Sequence, residues 1–422
     1  MKQYNMTIQE KTLANGLHMI LVHKPGYYRS LCTLATDAGG FDLVQSYEGE
    51  QLHYRTGCAH YLEHQMFRYH GLDVTEEFAK NSASTNAFTS FNKTAYYFQT
   101  TSDIQASLEL LLNFVEELDI DAESVEKERG IILSEYDMYD QQPEQRLFKE
   151  TWRSLYKNHP LRIDVLGNRE DIQEMSVEDL QKFYKYNYDP SRLTLIVVTG
   201  KDIDEIESWV TAHQAKVPSR IDGEVKRIIP SEDALVNRSH TELEMDISMP
   251  YVCVAYKFET EKDIQLALKK DFAIQMALDA LMSPLNPKYQ SWLDQKIITQ
   301  LAGAECDITT DHAYLLFYAQ TPKVEAFIEL VNELVKDLGQ SLTQENYQAL
   351  KARTIASNIR GLDAFENLAI ELLEAKIIGY DYWQHLNLVN EVSKSEIEEL
   401  LQTLDFTNQT ITTILPKASK SQ

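Results

Sequence analysis

Short apolar runs and longer helical patterns alternate along this chain. Leu17 to His23 and Leu31 to Ala35 are rich in apolar and β-branched residues, which predicts strands. Glu123 to Tyr139 reads as a helix, with Gly130 a weak point inside it that lowers propensity without ending the element. Ser176 followed by Asp179 is a helix-start signal. The serine hydroxyl can accept from the third backbone N–H while the acid reaches back to the serine N–H, with Asp standing where Glu is usual.

The pattern then repeats. Ala95-Tyr96-Tyr97-Phe98 leads into an apolar helical stretch from Leu108 to Leu118. Ala313-Tyr314-Leu315-Leu316, 218 residues later, leads into another from Phe327 to Leu338. Met175 to Leu180 resembles Val392 to Ile397 at an offset of 217, and each is followed by a helical pattern and then a strand, Leu193 to Val198 and Thr410 to Leu415. Two matched helix–strand pairs at one spacing predict two homologous halves. Their expected extents are residues 1–217 and 236–422, joined by a linker over 218–235 where Pro218, Gly223 and Pro230 punctuate a charged segment. Strands together with helices in each half predict an α+β fold: two α/β halves, each a mostly antiparallel sheet with helices on one face.

Composition narrows the function. A chain of 422 residues has room for two or three domains, at about 150 residues each. With 43% apolar and 25% charged residues it can bury ordinary cores. The net charge of −25 repels nucleic acid and anionic lipid, so neither is expected as a partner. Cys32, Cys58, Cys253 and Cys306 are scattered without metal-ligand spacing, which points to reduced thiols. The opening Met1-Lys2-Gln3-Tyr4-Asn5 lacks the apolar core of a signal peptide, and no run of 18 apolar residues occurs. A cytoplasmic location is the expectation.

The candidate chemistry lies in Gly57-Cys58-Ala59-His60-Tyr61-Leu62-Glu63-His64-Gln65-Met66-Phe67. On a helix, residues four apart share a face, so His60 and His64 can grip one metal ion. Glu63 flanks the same face, close enough to take a proton from water at that metal. This is the inverted form of the His-Glu-x-x-His zinc helix. A catalytic zinc needs a third protein ligand and an open position. Glu128 and Glu135 are seven residues apart, close to two helical turns, so they share a face. One of them can bind zinc and the other can support a histidine from behind. His53 and His70 have no partner at helical spacing and read as surface histidines.

Together these residues resemble the pitrilysin/insulinase family of zinc peptidases, whose motif is His-x-x-Glu-His followed further on by Glu-x6-Glu. In that family the second Glu ligates zinc, which implies Glu135 as the third ligand and Glu128 as support. His64 and Glu135 are 71 residues apart, slightly short of the family's usual separation. Asn15-Gly16-Leu17 matches the opening of the family's first strand. Ser84-Thr85-Asn86-Ala87-Phe88-Thr89-Ser90, with Thr94-Ala95-Tyr96, matches its active-site edge strand. The resemblance implies that Asn86 and Ala87 contact the substrate backbone. Pro160-Leu161-Arg162 and Gly167-Asn168 fall where the family keeps a loop before the helix closing the first half. The similarity is strong over residues 10 to 200 and weaker beyond, and is closest to small members from Gram-positive bacteria, often found beside a degenerate paralogue.

The resemblance implies two halves closing as a clamshell around an unfolded peptide. At the repeat offset, His60, Glu63, His64 and Glu135 fall near Leu278, Leu281, Met282 and Arg353, so the second half is expected to be metal-free. Many family members carry an Arg and a Tyr seven residues apart in that half, aimed at the site; here Asp294 and Leu301 stand there. The expected function is zinc-dependent endoproteolysis of unfolded peptides, with one Zn2+ per chain. The alternative is a weakly active or non-catalytic peptide-binding subunit of a paralogous heterodimer. A homodimer or such a heterodimer is the expected assembly.

Overall fold

A computed structural model describes residues 4–339 and 342–417. Met1 to Gln3, at the start of the segment read above for a signal peptide, lie outside the described residues. The chain forms two compact units. One comprises Met1–Asp137, Ile163–Ile229 and Gly361–Ile378; the other comprises Met138–Arg162, Pro230–Arg360 and Gly379–Gln422.

The first unit is built on a six-stranded sheet. Its order is Thr7–Thr12, His18–His23, Leu193–Thr199, Ser30–Thr36, Thr94–Thr100, Ala83–Thr89. Neighbours are antiparallel except His18–His23 with Leu193–Thr199. Side chains alternate across a strand. Met19, Leu21, Cys32, Leu34, Leu195 and Val197 enter one core together with apolar residues of helices Cys58–Met66, Gln105–Glu116 and Val177–Asn187. Their neighbours Ile20, Val22, Leu31, Ile196 and Val198 are buried as well, so the opposite face is also covered.

The cover on that face comes from a distant stretch of chain. Helix Phe365–Ile378 packs on strands Ser30–Thr36 and Leu193–Thr199. Lys24 holds its start through the Asp363 carboxylate at 2.7 Å and the Leu362 carbonyl, and Lys93 bonds Glu374 near its end. Leu373 is 1% exposed and lies beside Leu31, Thr33 and Phe88. Leu373→Ala should therefore destabilise the protein by about 2–5 kcal/mol. Chemical denaturation measures this, and a change well below that range would show that the helix is not part of this core.

The second unit carries a five-stranded sheet in the order His240–Met245, Gln409–Pro416, Tyr251–Lys257, Ala313–Gln320, Ala302–Ile308. That order and its strand directions, including one parallel pair at the same place, match the last five strands of the first sheet. Leu193–Thr199 and Gln409–Pro416 hold equivalent places. Each follows a helix with a complete capping box, Ser176 with Asp179 and Ser393 with Glu396. The α+β class, the antiparallel sheets and the repeat expected from the sequence are all present. The sequence pattern did not reveal the exchanged helices. Pro143–Leu155, from the first half of the chain, packs in the second unit against Tyr251–Lys257 and Gln409–Pro416.

Candidate metal centre

The centre lies wholly within the first unit. Helix Cys58–Met66 buries Cys58, Ala59, Tyr61, Leu62 and Met66 in the core. Its start is fixed by two glycines. Gly57 has φ 76°, and a Cβ there would lie 2.1 Å from the Leu166 carbonyl oxygen. Gly167 has φ 93°, and its Cβ would lie 2.6 Å from the Thr56 carbonyl oxygen. Only residues without a Cβ allow both the left-handed backbone and this approach.

Helix Ala122–Asp140 runs alongside. Asp121 and Ser124 open it with reciprocal bonds: the Ser124 N–H donates to Asp121 at 2.8 Å, and the Asp121 N–H donates to the Ser124 hydroxyl at 3.0 Å. Two cross-links set the helices in register. The Tyr61 hydroxyl donates to the Val125 carbonyl, and Gln65 Nε2 donates to the Ser124 carbonyl at 3.1 Å. With that register fixed, the face bearing Glu128 and Glu135 meets the two histidines.

His60 Nε2 lies 3.6 Å from Glu135 Oε2, and His64 Nε2 lies 3.4 Å from the same oxygen. The three residues offer ligand atoms all within 4.8 Å of one another. Two bonds of about 2.0–2.2 Å at a tetrahedral angle span about 3.4 Å, so these separations fit zinc. A donor set of two imidazoles and one carboxylate also leaves a fourth position open. Behind His64, Nδ1 lies 3.4 Å from Glu128 Oε2. A carboxylate accepting from Nδ1–H leaves the Nε2 lone pair for a metal. Burial and then the charge on His64 hold His60 down at about 4. Burial opposes charge on His64 as well, but hydrogen bonds to Glu128 and Glu135 outweigh it and raise His64 to about 9. Burial pushes Glu63 above the usual carboxylate range, against a hydrogen bond from Thr89.

A second group with metal-ligand chemistry, His159, Asp311 and His312, lies in the second unit. Its bonding differs. His312 has Asp307 at 2.9 Å on Nε2 and Asp311 at 2.6 Å on Nδ1, and these carboxylates overcome burial to raise it to about 9. His159 Nδ1 accepts the Leu161 N–H at 3.1 Å, which places the proton of the neutral ring on Nε2. This group is an ion-paired cluster. The positions matching the first unit's centre hold other chemistry: Leu278 and Leu281 are buried, and Arg353 pairs with Asp279. Leu301 is 45% exposed.

Among the described residues strand Ala83–Thr89 pairs only with Thr94–Thr100, at the end of its sheet, and its other edge carries no strand. Asn86 is exposed, its Oδ1 accepting the Ala87 N–H at 2.9 Å, while Ala87 rests partly buried on the core. Thr89, not singled out from the sequence, donates its hydroxyl to Glu63 Oε2 at 2.6 Å. Beside His64 and Glu128 a cleft of about 640 Å³ opens, lined also by Phe67, Arg68 and Lys127. His53 and His70 are exposed, as expected, and His70 pairs with Glu117 at 3.4 Å.

Two family models match in succession: the insulinase domain of peptidase family M16 over residues 45–169, and the M16 inactive domain over residues 174–354. The chain belongs to the insulinase family. Within it, YmfH of Bacillus subtilis, described as an uncharacterized zinc protease, is 27% identical over 99% of this chain and 98% of its own length. The mitochondrial-processing peptidase β subunit of Lentinula edodes is 25% identical over 49% of this chain and 44% of its own. An M16-like structure from Alicyclobacillus acidocaldarius superposes with a TM-score of 0.91, at 26% identity and covering 97% of this chain and 98% of its own. A Helicobacter pylori protease, at 20% identity and TM-score 0.83, shares the fold and covers 97% of this chain and 99% of its own. The insulinase resemblance read from His60 to Glu135 is therefore correct. Among the described residues no helix is long and apolar enough to cross a membrane.

Proposed function

We propose that this chain is a zinc-dependent endopeptidase acting on unfolded peptides or small polypeptides. His60, His64 and Glu135 would hold one Zn2+, Glu128 would orient His64, and Glu63 would be the general base. The observation that carries this reading is the meeting of three ligand atoms, with Glu63 on the helix of the two histidines and bonded to Thr89 of the edge strand. A bound zinc ion would supply Lewis acidity, polarising a carbonyl oxygen and acidifying water. Glu63 would accept a proton from the attacking water and return it to the leaving amine as the C–N bond breaks. Asn86 and Ala87 would hold the substrate extended as an added strand, with the Ala87 N–H passing from Asn86 to the peptide. The four unpaired cysteines support a cytoplasmic location.

Incubating the protein with a mixture of unfolded peptides and reading the products by mass spectrometry tests this. Internal cleavage is expected, and intact peptides would contradict it. A second reading, a weakly active or non-catalytic peptide-binding subunit paired with a paralogue, draws support from Asp294 and Leu301 standing where the family resemblance implies an Arg and a Tyr. Tight peptide binding with zinc present but no cleavage would favour it.

A further inference from the structure

The side chain of Thr89 reaches Glu63 across the gap between the open-edged strand and the His-x-x-Glu-His helix. Thr89 is the last residue of Ala83–Thr89, and its backbone is paired opposite Thr94. On this strand Thr85, Ala87 and Thr89 share one face by alternation, the face on which Ala87 meets the core. The Thr89 hydroxyl donates to Glu63 Oε2 at 2.6 Å, a short, charge-assisted bond. Among the described residues none donates to Oε1. The bond therefore makes the two carboxylate oxygens inequivalent. Oε2 is tied to the strand, and Oε1 keeps its lone pairs for a proton.

We propose that Thr89 is the positioning residue for Glu63, so that the strand offered to the peptide also aims the base at it. The inference rests on Glu63 being the base. Thr89 touches neither the metal ligands nor the strand's open edge through its hydroxyl. Its loss should change turnover without changing how peptide or zinc binds. A β-branched residue with a hydroxyl suits the place: its branching suits a strand, and its short side chain holds the donor at a fixed reach.

The experiment compares Thr89→Val, Thr89→Ala and Thr89→Ser in the full-length, zinc-loaded protein by steady-state peptide cleavage. Removal of a group that orients a site residue typically costs about 10–100-fold in activity. That fall is expected in kcat for Val and for Ala, which only removes atoms, with KM and zinc content unchanged and most of kcat restored by Ser. In the Glu63→Gln background, Thr89→Val should cause no further fall. Unchanged kcat in the Val and Ala variants, Ser as impaired as Val, or an additive loss in the double variant would overturn the proposal. If Glu63→Gln itself kept full kcat, the base assignment would fail and take this inference with it. A normal Glu63→Gln loss beside an active Thr89→Val would sink the positioning role alone.

Discussion

Glu63→Gln should bind as much zinc as the unchanged protein and yet lose peptide hydrolysis by about 10²–10⁴-fold. Neither of the metal-facing distances involves Glu63. The atoms that converge belong to His60, His64 and Glu135, and Glu63 instead accepts from Thr89 on the neighbouring strand. Gln keeps the size and the oxygen that Thr89 needs but has no basic site, so the substitution isolates proton transfer. At about 1.36 kcal/mol per factor of ten, the loss corresponds to about 3–5 kcal/mol of transition-state stabilisation. Metal analysis and single-turnover cleavage on the same sample measure both quantities. A variant that loses zinc in parallel with activity would mean that the glutamate is a ligand and that the roles within the motif are misassigned.

Glu135→Gln should empty the site, and Glu128→Gln should only weaken it. Glu135 Oε2 lies 3.6 Å from His60 Nε2 and 3.4 Å from His64 Nε2, so its negative charge would face a dication held by all three. Gln replaces that charge with a neutral amide. Glu128 meets only the far nitrogen of His64, and losing such a contact typically costs about 10–100-fold in metal affinity. The fall for Glu135→Gln should exceed that range. Competition with a chromophoric chelator gives both affinities. A greater loss for Glu128→Gln would place the metal on the other side of His64, two turns along the helix.

Much of this was legible because the chemistry is local. His60, Glu63 and His64 follow from one helix, and Glu128 with Glu135 from another. The repeat was legible because each half carries the same capped helix before the same strand, Ser176 before Leu193–Thr199 and Ser393 before Gln409–Pro416. The exchange of Phe365–Ile378 and Pro143–Leu155 between the units was not legible. Periodicity shows that a helix has an apolar side but not which sheet that side will cover. The hydrophobic strand Leu193–Thr199, buried on both faces, was the one hint that a second layer had to exist. The Thr89 bond is not legible in the sequence because threonine in a strand is ordinary, and only the fold brings it to Glu63. The Gly57–Gly167 contact was hidden similarly, since it joins residues far apart in the chain through their backbones.

A single metal bound by His60, His64 and Glu135 should be required for peptide cleavage. Quantifying zinc per chain in a purified preparation, and following hydrolysis of one unfolded peptide as the metal is chelated and restored, tests it most directly. About one zinc per chain is expected at saturation. Hydrolysis should disappear on chelation and return in proportion to zinc added back. Hydrolysis that persists in the metal-free protein would contradict it.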